Sequence, residues 1–150
     1  MKTQNFPKTH VSYSVSDIEK SASFYSILFN TQPEKQKSDY LKYNLNRPAL
    51  SISFIKNADR VNTQGAHFGI QLESTEEVTQ HLERIKAAGL PMDEEMGVGC
   101  CYSVQDKFWV TDPDGYKWEV YFKHEEQQYE SISNNQEKAE EACCGTECCS

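Results

Sequence analysis

A chain of 150 residues is long enough to bury a real core, as one domain or as two small halves sharing it. Its formal charge of −8 is uneven: residues 125–150 carry seven acids and one base, and the rest is nearly balanced. There is no basic stripe for nucleic acid, no apolar run as long as a membrane span and no hydrophobic signal segment in residues 1–9, so neither nucleic acid nor membrane is expected as a partner and a cytosolic location is.

His10-Val11-Ser12-Tyr13-Ser14-Val15 alternates with period two and predicts a strand. Val11, Tyr13 and Val15 share one face; His10, Ser12 and Ser14 share the other. Ser16 is expected to cap a helix, with Glu19 completing a capping box, and Ile18, Ala22, Tyr25 and Leu28 recur at helical spacing as its buried side. Residues 40–45 and 50–55 read as two further strands joined through Asn46-Arg47-Pro48.

After a polar stretch over 56–64 the pattern restarts. His67-Phe68-Gly69-Ile70-Gln71-Leu72 is a strand with His67, Gly69 and Gln71 on the less apolar face. Ser74 and Glu77 form a second capping box, Val78, Leu82 and Ile85 mark a buried helix side, and Gly89 with Pro91 ends it. His10, Tyr25 and Leu28 recur 57 residues later as His67, Leu82 and Ile85, which reads as a tandem repeat. The glycines of Gly97-Val98-Gly99-Cys100-Cys101-Tyr102 predict a mobile loop carrying two adjacent thiols. Residues 108–111 form a strand, Asp112-Pro113-Asp114-Gly115 suits a type I turn, and residues 116–122 return. On that last strand Trp118, Val120 and Phe122 share one face; Lys117, Glu119 and Tyr121 share the other. The folded domain is thus expected over 1–124, in modules of about 8–56 and 65–124, with an acidic, disordered, Cys-rich tail over 125–150.

All six cysteines occur as adjacent pairs: Cys100-Cys101, Cys143-Cys144 and Cys148-Cys149. Adjacent residues make strained disulfides, and the cytosol keeps thiols reduced. Paired thiolates suit a soft metal ion or a trivalent arsenic centre; the plainer reading of Cys100 and Cys101 is two small buried residues. The tail thiols are candidates for capturing arsenic, handing it over or sequestering a soft metal, or belong to a dispensable extension. Three strands each present one good metal ligand on the face away from the helices: His10, His67 and Glu119. Two imidazoles and a carboxylate form the facial set that holds Fe(II) with positions open, and the same trio suits zinc with a bound water. His81 reads as a half-buried helix residue and His124 as a solvated strand end.

The tandem unit, the histidine opening each half, and Asp112-Pro113-Asp114-Gly115 followed by Glu119 together resemble the glyoxalase/bleomycin-resistance/extradiol-dioxygenase (vicinal oxygen chelate) superfamily over roughly residues 8–124. With Cys100-Cys101 added, the chain resembles the ArsI-type organoarsenical C–As lyases and the CadI-like proteins within it. The resemblance implies an α+β fold of two tandem βαβββ modules forming a curved sheet around a metal cavity. It implies Fe(2+) held by His10, His67 and Glu119. It also implies a trivalent organoarsenical, such as methylarsonous acid or a reduced aromatic arsenical, held by the catalytic pair Cys100 and Cys101. The reaction implied is O2-dependent cleavage of the carbon–arsenic bond to give arsenite. Tyr102 is a candidate for shaping the pocket, and Lys117 and Tyr121 share the face of Glu119. Residues 50–55 contain no Asp, Glu or His, which favours exchangeable positions over a four-ligand glyoxalase-type site. A non-catalytic cadmium- or arsenite-binding protein is the alternative. The sequence leaves open whether the halves pair within one chain or exchange in a homodimer.

Overall fold

The computed structural model describes residues 6–100 and 103–124. The elements run β1 (Thr9–Val15), α1 (Ile18–Leu28), β2 (Lys35–Gln36), β3 (Tyr40–Leu45), β4 (Leu50–Lys56), β5 (His67–Gln71), α2 (Thr75–Ala87), β6 (Met92–Cys100), β7 (Ser103–Thr111) and β8 (Lys117–Lys123). Each half is therefore a βαβββ unit, as expected. The strands form two four-stranded sheets rather than one closed barrel, in the orders β1-β4-β3-β2 and β5-β8-β7-β6. In both, the opening strand lies parallel to the closing one, β1 on β4 and β5 on β8, and the other pairs are antiparallel. No helix among the described residues is long and apolar enough to cross a membrane.

The two halves bury one core. Strand alternation sends Val15, Ile52, Phe54, Val110, Trp118 and Val120 inward, where Tyr25, Leu28, Val78 and Ile85 of the helices meet them. The contact crosses between halves: Tyr13 of β1 stacks on Phe68 of β5, with ring centroids 5.0 Å apart, and Tyr25 and Phe29 meet Trp118 edge-on. Removing aromatic rings of this size from water is worth roughly 1.5–3 kcal/mol each, so neither sheet is a self-sufficient unit.

A buried polar chain runs through that core. The Tyr13 hydroxyl lies 2.7 Å from that of Tyr25, which donates to Asp112 Oδ2, also at 2.7 Å, while Trp118 Nε1 donates to the Tyr25 oxygen. Asp112 is 4% exposed and its other oxygen accepts the amides of Asp114 and Tyr116. Gly115 N–H closes the turn on Asp112 C=O at 3.0 Å. Asp114 accepts the Ser16 amide, and the Tyr116 hydroxyl donates to Ser14 C=O. The Asp-Pro-Asp-Gly turn thus fastens the second half to the end of β1.

Several local expectations shift. The cap of α1 is Asp17, not Ser16: its carboxylate accepts the Lys20 amide at 3.0 Å, while the Ser16 backbone N–H donates to Asp114. Ser74 does cap α2, and Glu77 reaches back to the Glu73 amide. Residues 97–100, expected as a loop, are strand through Cys100, because β7 begins at Ser103 and supplies a pairing partner. His124 is half-buried rather than solvated, its Nε2 lying 2.9 Å from Asp106 Oδ2. Cys101, Tyr102 and the tail over 125–150, with Cys143, Cys144, Cys148 and Cys149, lie outside the described residues.

The helices are also joined. Arg84 of α2 donates to the Ile27 and Leu28 carbonyls at the end of α1, where helix carbonyls lack internal partners. His81 Nδ1 accepts from the same guanidinium at 3.1 Å, and burial holds the imidazole below its ordinary pKa, in the neutral form that can accept. Arg84→Ala is expected to lower unfolding free energy by about 1–2 kcal/mol, since hydrogen bonds from a charged group carry roughly 1.5–3 and this one is partly exposed. A urea midpoint unchanged from wild type would contradict that role.

Candidate metal centre and thiol hairpin

On the second sheet the candidate ligands fall on one face through strand parity. The parallel register sets His67 beside Lys117, Gly69 beside Glu119 and Gln71 beside Tyr121. β8 in turn sets Glu119 beside Trp109 and Tyr121 beside Lys107. The face away from the core therefore carries His67, Glu119, Trp109, Lys107, Gln71 and Tyr121. His67 is exposed and meets the Trp109 ring edge-on at 5.7 Å.

Gly69 keeps room for the carboxylate. A Cβ there would lie 3.1 Å from Tyr121 Cε1 and 3.4 Å from both Cγ and Oε1 of Glu119. A side chain at 69 would crowd the Tyr121 ring and come into contact with Glu119, so the glycine leaves room for the carboxylate on the face of His67. The Tyr121 hydroxyl donates to Gln71 Oε1 at 3.3 Å. Burial, and then the Glu119 charge, push the Tyr121 phenol above its ordinary pKa, so it stays a proton donor near neutrality. Lys107 is nearly buried on this face; its Nζ lies 3.1 Å from Glu95 and 5.3 Å from the Trp109 ring centre.

His10 stands elsewhere. It is exposed on β1, in the first sheet, opposite Ser51. Ser12 and Ser14 follow it on the same face, opposite Ser53 and Ile55. Among the described residues no three His, Cys, Asp or Glu side chains come close enough to hold one ion. The chain by itself brings His67 and Glu119 to one face and leaves His10 on the other sheet. In donor type, and in the space beside Gly69, His67 and Glu119 fit two positions of a ferrous or zinc ion; the third donor is not gathered to them. Sequence reasoning set Gly69 and Gln71 on the face of His67 without giving them a role, and missed Trp109 as a neighbour of the ligands. Gly69 was legible as a residue without a side chain between two polar positions of one strand.

Cys100 closes β6, its backbone paired with Ser103 of β7. The hairpin is therefore an extension of the sheet that carries His67 and Glu119. Asp106 of β7, 7% exposed, accepts from Thr75 Oγ1, from the Gly97 amide and from His124. Burial works against its charge, but the hydrogen bonds from Thr75, His124 and Gly97 outweigh that and hold its carboxyl below the ordinary value.

Paired βαβββ units, with the opening strand of each parallel to its closing strand, define the class of fold. The chain belongs to the Glyoxalase/Bleomycin resistance protein/Dioxygenase superfamily, whose sequence profile matches residues 9–120. It is 47% identical over 115 residues to the trivalent organoarsenical cleaving enzyme of Bacillus sp. (strain MD1), spanning 75% of this chain and 71% of that one. It is 41% identical over 138 residues to the probable trivalent organoarsenical cleaving enzyme of Bacillus subtilis (strain 168), spanning 91% and 90%. A glyoxalase/bleomycin resistance protein/dioxygenase from Alicyclobacillus acidocaldarius shares the fold, with TM-score 0.67 at 16% identity over 85% of this chain and 98% of that one.

Proposed function

We propose that the chain cleaves the carbon–arsenic bond of trivalent organoarsenicals, such as methylarsonous acid or a reduced aromatic arsenical, with Fe(2+) and O2, and releases arsenite. The observation that carries the reading is the sharing of one sheet by His67, Glu119 and the hairpin ending at Cys100. The names of the two bacillary relatives support the substrate class. The iron and oxygen chemistry rests on the ligand types and the family resemblance.

In this reading Cys100 and Cys101 exchange their protons for bonds to arsenic, displacing its hydroxyls as water. Chelation fixes the orientation of the organic group and turns a three-body encounter into a positioned one. His67 and Glu119 supply two ligands and His10 the third. His10 stands on β1, the strand whose Tyr13 stacks on Phe68 of β5. Ferrous iron held by these residues would supply open positions at which dioxygen could be activated. Tyr121, kept protonated and bonded to Gln71, stands beside Glu119, and the Trp109 ring meets His67 edge-on. The overall change balances without an outside reductant: methylarsonous acid plus dioxygen gives arsenous acid plus formaldehyde.

The test is anaerobic loading with Fe(2+), addition of methylarsonous acid, admission of air, and assay of arsenite, formaldehyde and oxygen uptake. Arsenite and formaldehyde should appear in equal amounts. Cys100→Ser should abolish release while leaving iron content unchanged. Failure of the wild type to release arsenite, with iron and thiols verified, would sink the reading. The three cysteine pairs favour one other reading, a cadmium or arsenite buffer without catalysis. Deleting residues 125–150 separates the two: an enzyme keeps its turnover, and a buffer loses most of its bound metal.

A further inference from the structure

The hairpin that ends at Cys100 contains one irregularity. Up to Glu95 the ladder is regular, with Asp93 opposite Trp109 and Glu95 opposite Lys107. It resumes with Val98 opposite Gln105, Gly99 opposite Val104 and Cys100 opposite Ser103. Met96 and Gly97 therefore share the single partner Asp106, which is a β-bulge. Gly97 has φ +66°, a conformation glycine adopts readily and β-branched residues do not. Its amide donates to Asp106 Oδ1 at 2.8 Å.

The extra residue changes strand parity. Before it, the odd positions 93 and 95 oppose Trp109 and Lys107, which lie on the Glu119 face. After it, the even positions 98 and 100 oppose Gln105 and Ser103, of the same β7 parity as Lys107 and Trp109. A regular ladder continued from Glu95 would set Cys100 against Tyr102, on the opposite parity, and leave one residue to turn the chain. Slipping by one residue exchanges faces, and tight hairpins need at least about two loop residues.

Asp106 itself sits at a core-parity position, between Phe108 and the hairpin end, where an apolar side chain would be the cheaper choice. A buried carboxylate is tolerated only when well hydrogen-bonded, and this one is fixed by Thr75 and His124 as well as by the bulge. We infer that the bulge at Met96 and Gly97, clasped by Asp106, sets Cys100 in register on the Glu119 face, making Gly97 and Asp106 positioning residues for arsenical capture. The capture half rests on the proposed function; the register half does not.

The test exploits the fact that deleting Gly97 removes the extra residue yet keeps Cys100 opposite Ser103. In the full chain with the four tail cysteines replaced by serine, phenylarsonous acid bound per chain is measured without iron or air, against glutathione as competitor. Gly97→Val and Asp106→Ala should each weaken binding on the order of tenfold or more, since small misplacements of a binding group are costly. Deletion of Gly97 should bind like the parent, and deleting it in the Asp106→Ala chain should restore binding. A purely structural role for Asp106 would not be rescued by shortening β6. Register is read separately by oxidising Val98→Cys with Gln105→Cys in a chain whose native cysteines are serine; this pair should cross-link in preference to Val98→Cys with Val104→Cys. Preference for the 98/104 pair, or a Gly97 deletion that binds as weakly as Gly97→Val, would overturn the inference. Cross-linking at 98/105 in a parent that takes up no arsenical would overturn the capture role and the arsenical reading, leaving the register standing.

Discussion

Glu119→Ala and His67→Ala chains are expected to lose iron and, with it, all release of arsenite. Removing even an outer partner of a metal ligand costs about tenfold to a hundredfold in affinity, and loss of a ligand itself should cost at least that. The fold should survive both changes, because His67 is exposed and Glu119 lies on the face away from the shared core. Gly69→Val gives the sharper version of the same experiment. It leaves all three proposed ligands in place and presses first on the Tyr121 ring, 3.1 Å from where a Cβ would sit, with Glu119 next at 3.4 Å. Iron affinity should fall while thiol capture of a trivalent arsenical stays intact. Iron bound per chain after anaerobic desalting, beside arsenic bound per chain, separates these. Equal iron in wild type and Glu119→Ala would remove the carboxylate from the site, and the ligand assignment with it.

The architecture was legible because its two signals are local. Period-two alternation at His10–Val15 and His67–Leu72, helical spacing from Ile18 and Val78, and the 57-residue recurrence all report on which face a residue presents. The same parity singled out His67 and Glu119, and the register confirms that they share a face. What stayed hidden depends on pairing at a distance. β6 has no alternation of its own in Met92-Asp93-Glu94-Glu95-Met96-Gly97, and becomes a strand only because β7 lies beside it. Asp106 and Asp112 look like ordinary polar residues in the sequence. Their roles come from donors that arrive from other segments: Thr75, Gly97 and His124 at one, Tyr25 at the other. The placing of His10 on a different sheet from the other two candidate ligands was equally invisible, since parity assigns a face within a sheet and says nothing of how two sheets meet.

Asp112→Ala should be strongly destabilising. It strips the acceptor from the buried Tyr25 hydroxyl and from the Asp114 and Tyr116 amides at once. Each buried group left unpaired costs roughly 1–3 kcal/mol, so a loss of about 3 kcal/mol or more follows, and it falls where the two halves join. Asp112→Asn is the informative companion, because it keeps an acceptor and removes the charge. Burial pushes the Asp112 carboxyl above its ordinary 3.8, only partly offset by the hydrogen bonds from Tyr25 and the turn amides. The folded state therefore holds this proton more tightly than the unfolded chain does. The contribution of such a group is greatest below pH 3.8 and declines as pH rises through the folded value. At neutral pH the buried charge weighs against the fold even as its hydrogen bonds hold the turn. The stability of wild type minus that of Asp112→Asn, from urea midpoints at successive pH values above 3.8, should then decrease with pH and level off. A difference that increases with pH would mean that the carboxylate is stabilised as an anion, and that the tyrosine chain, rather than burial, governs its proton.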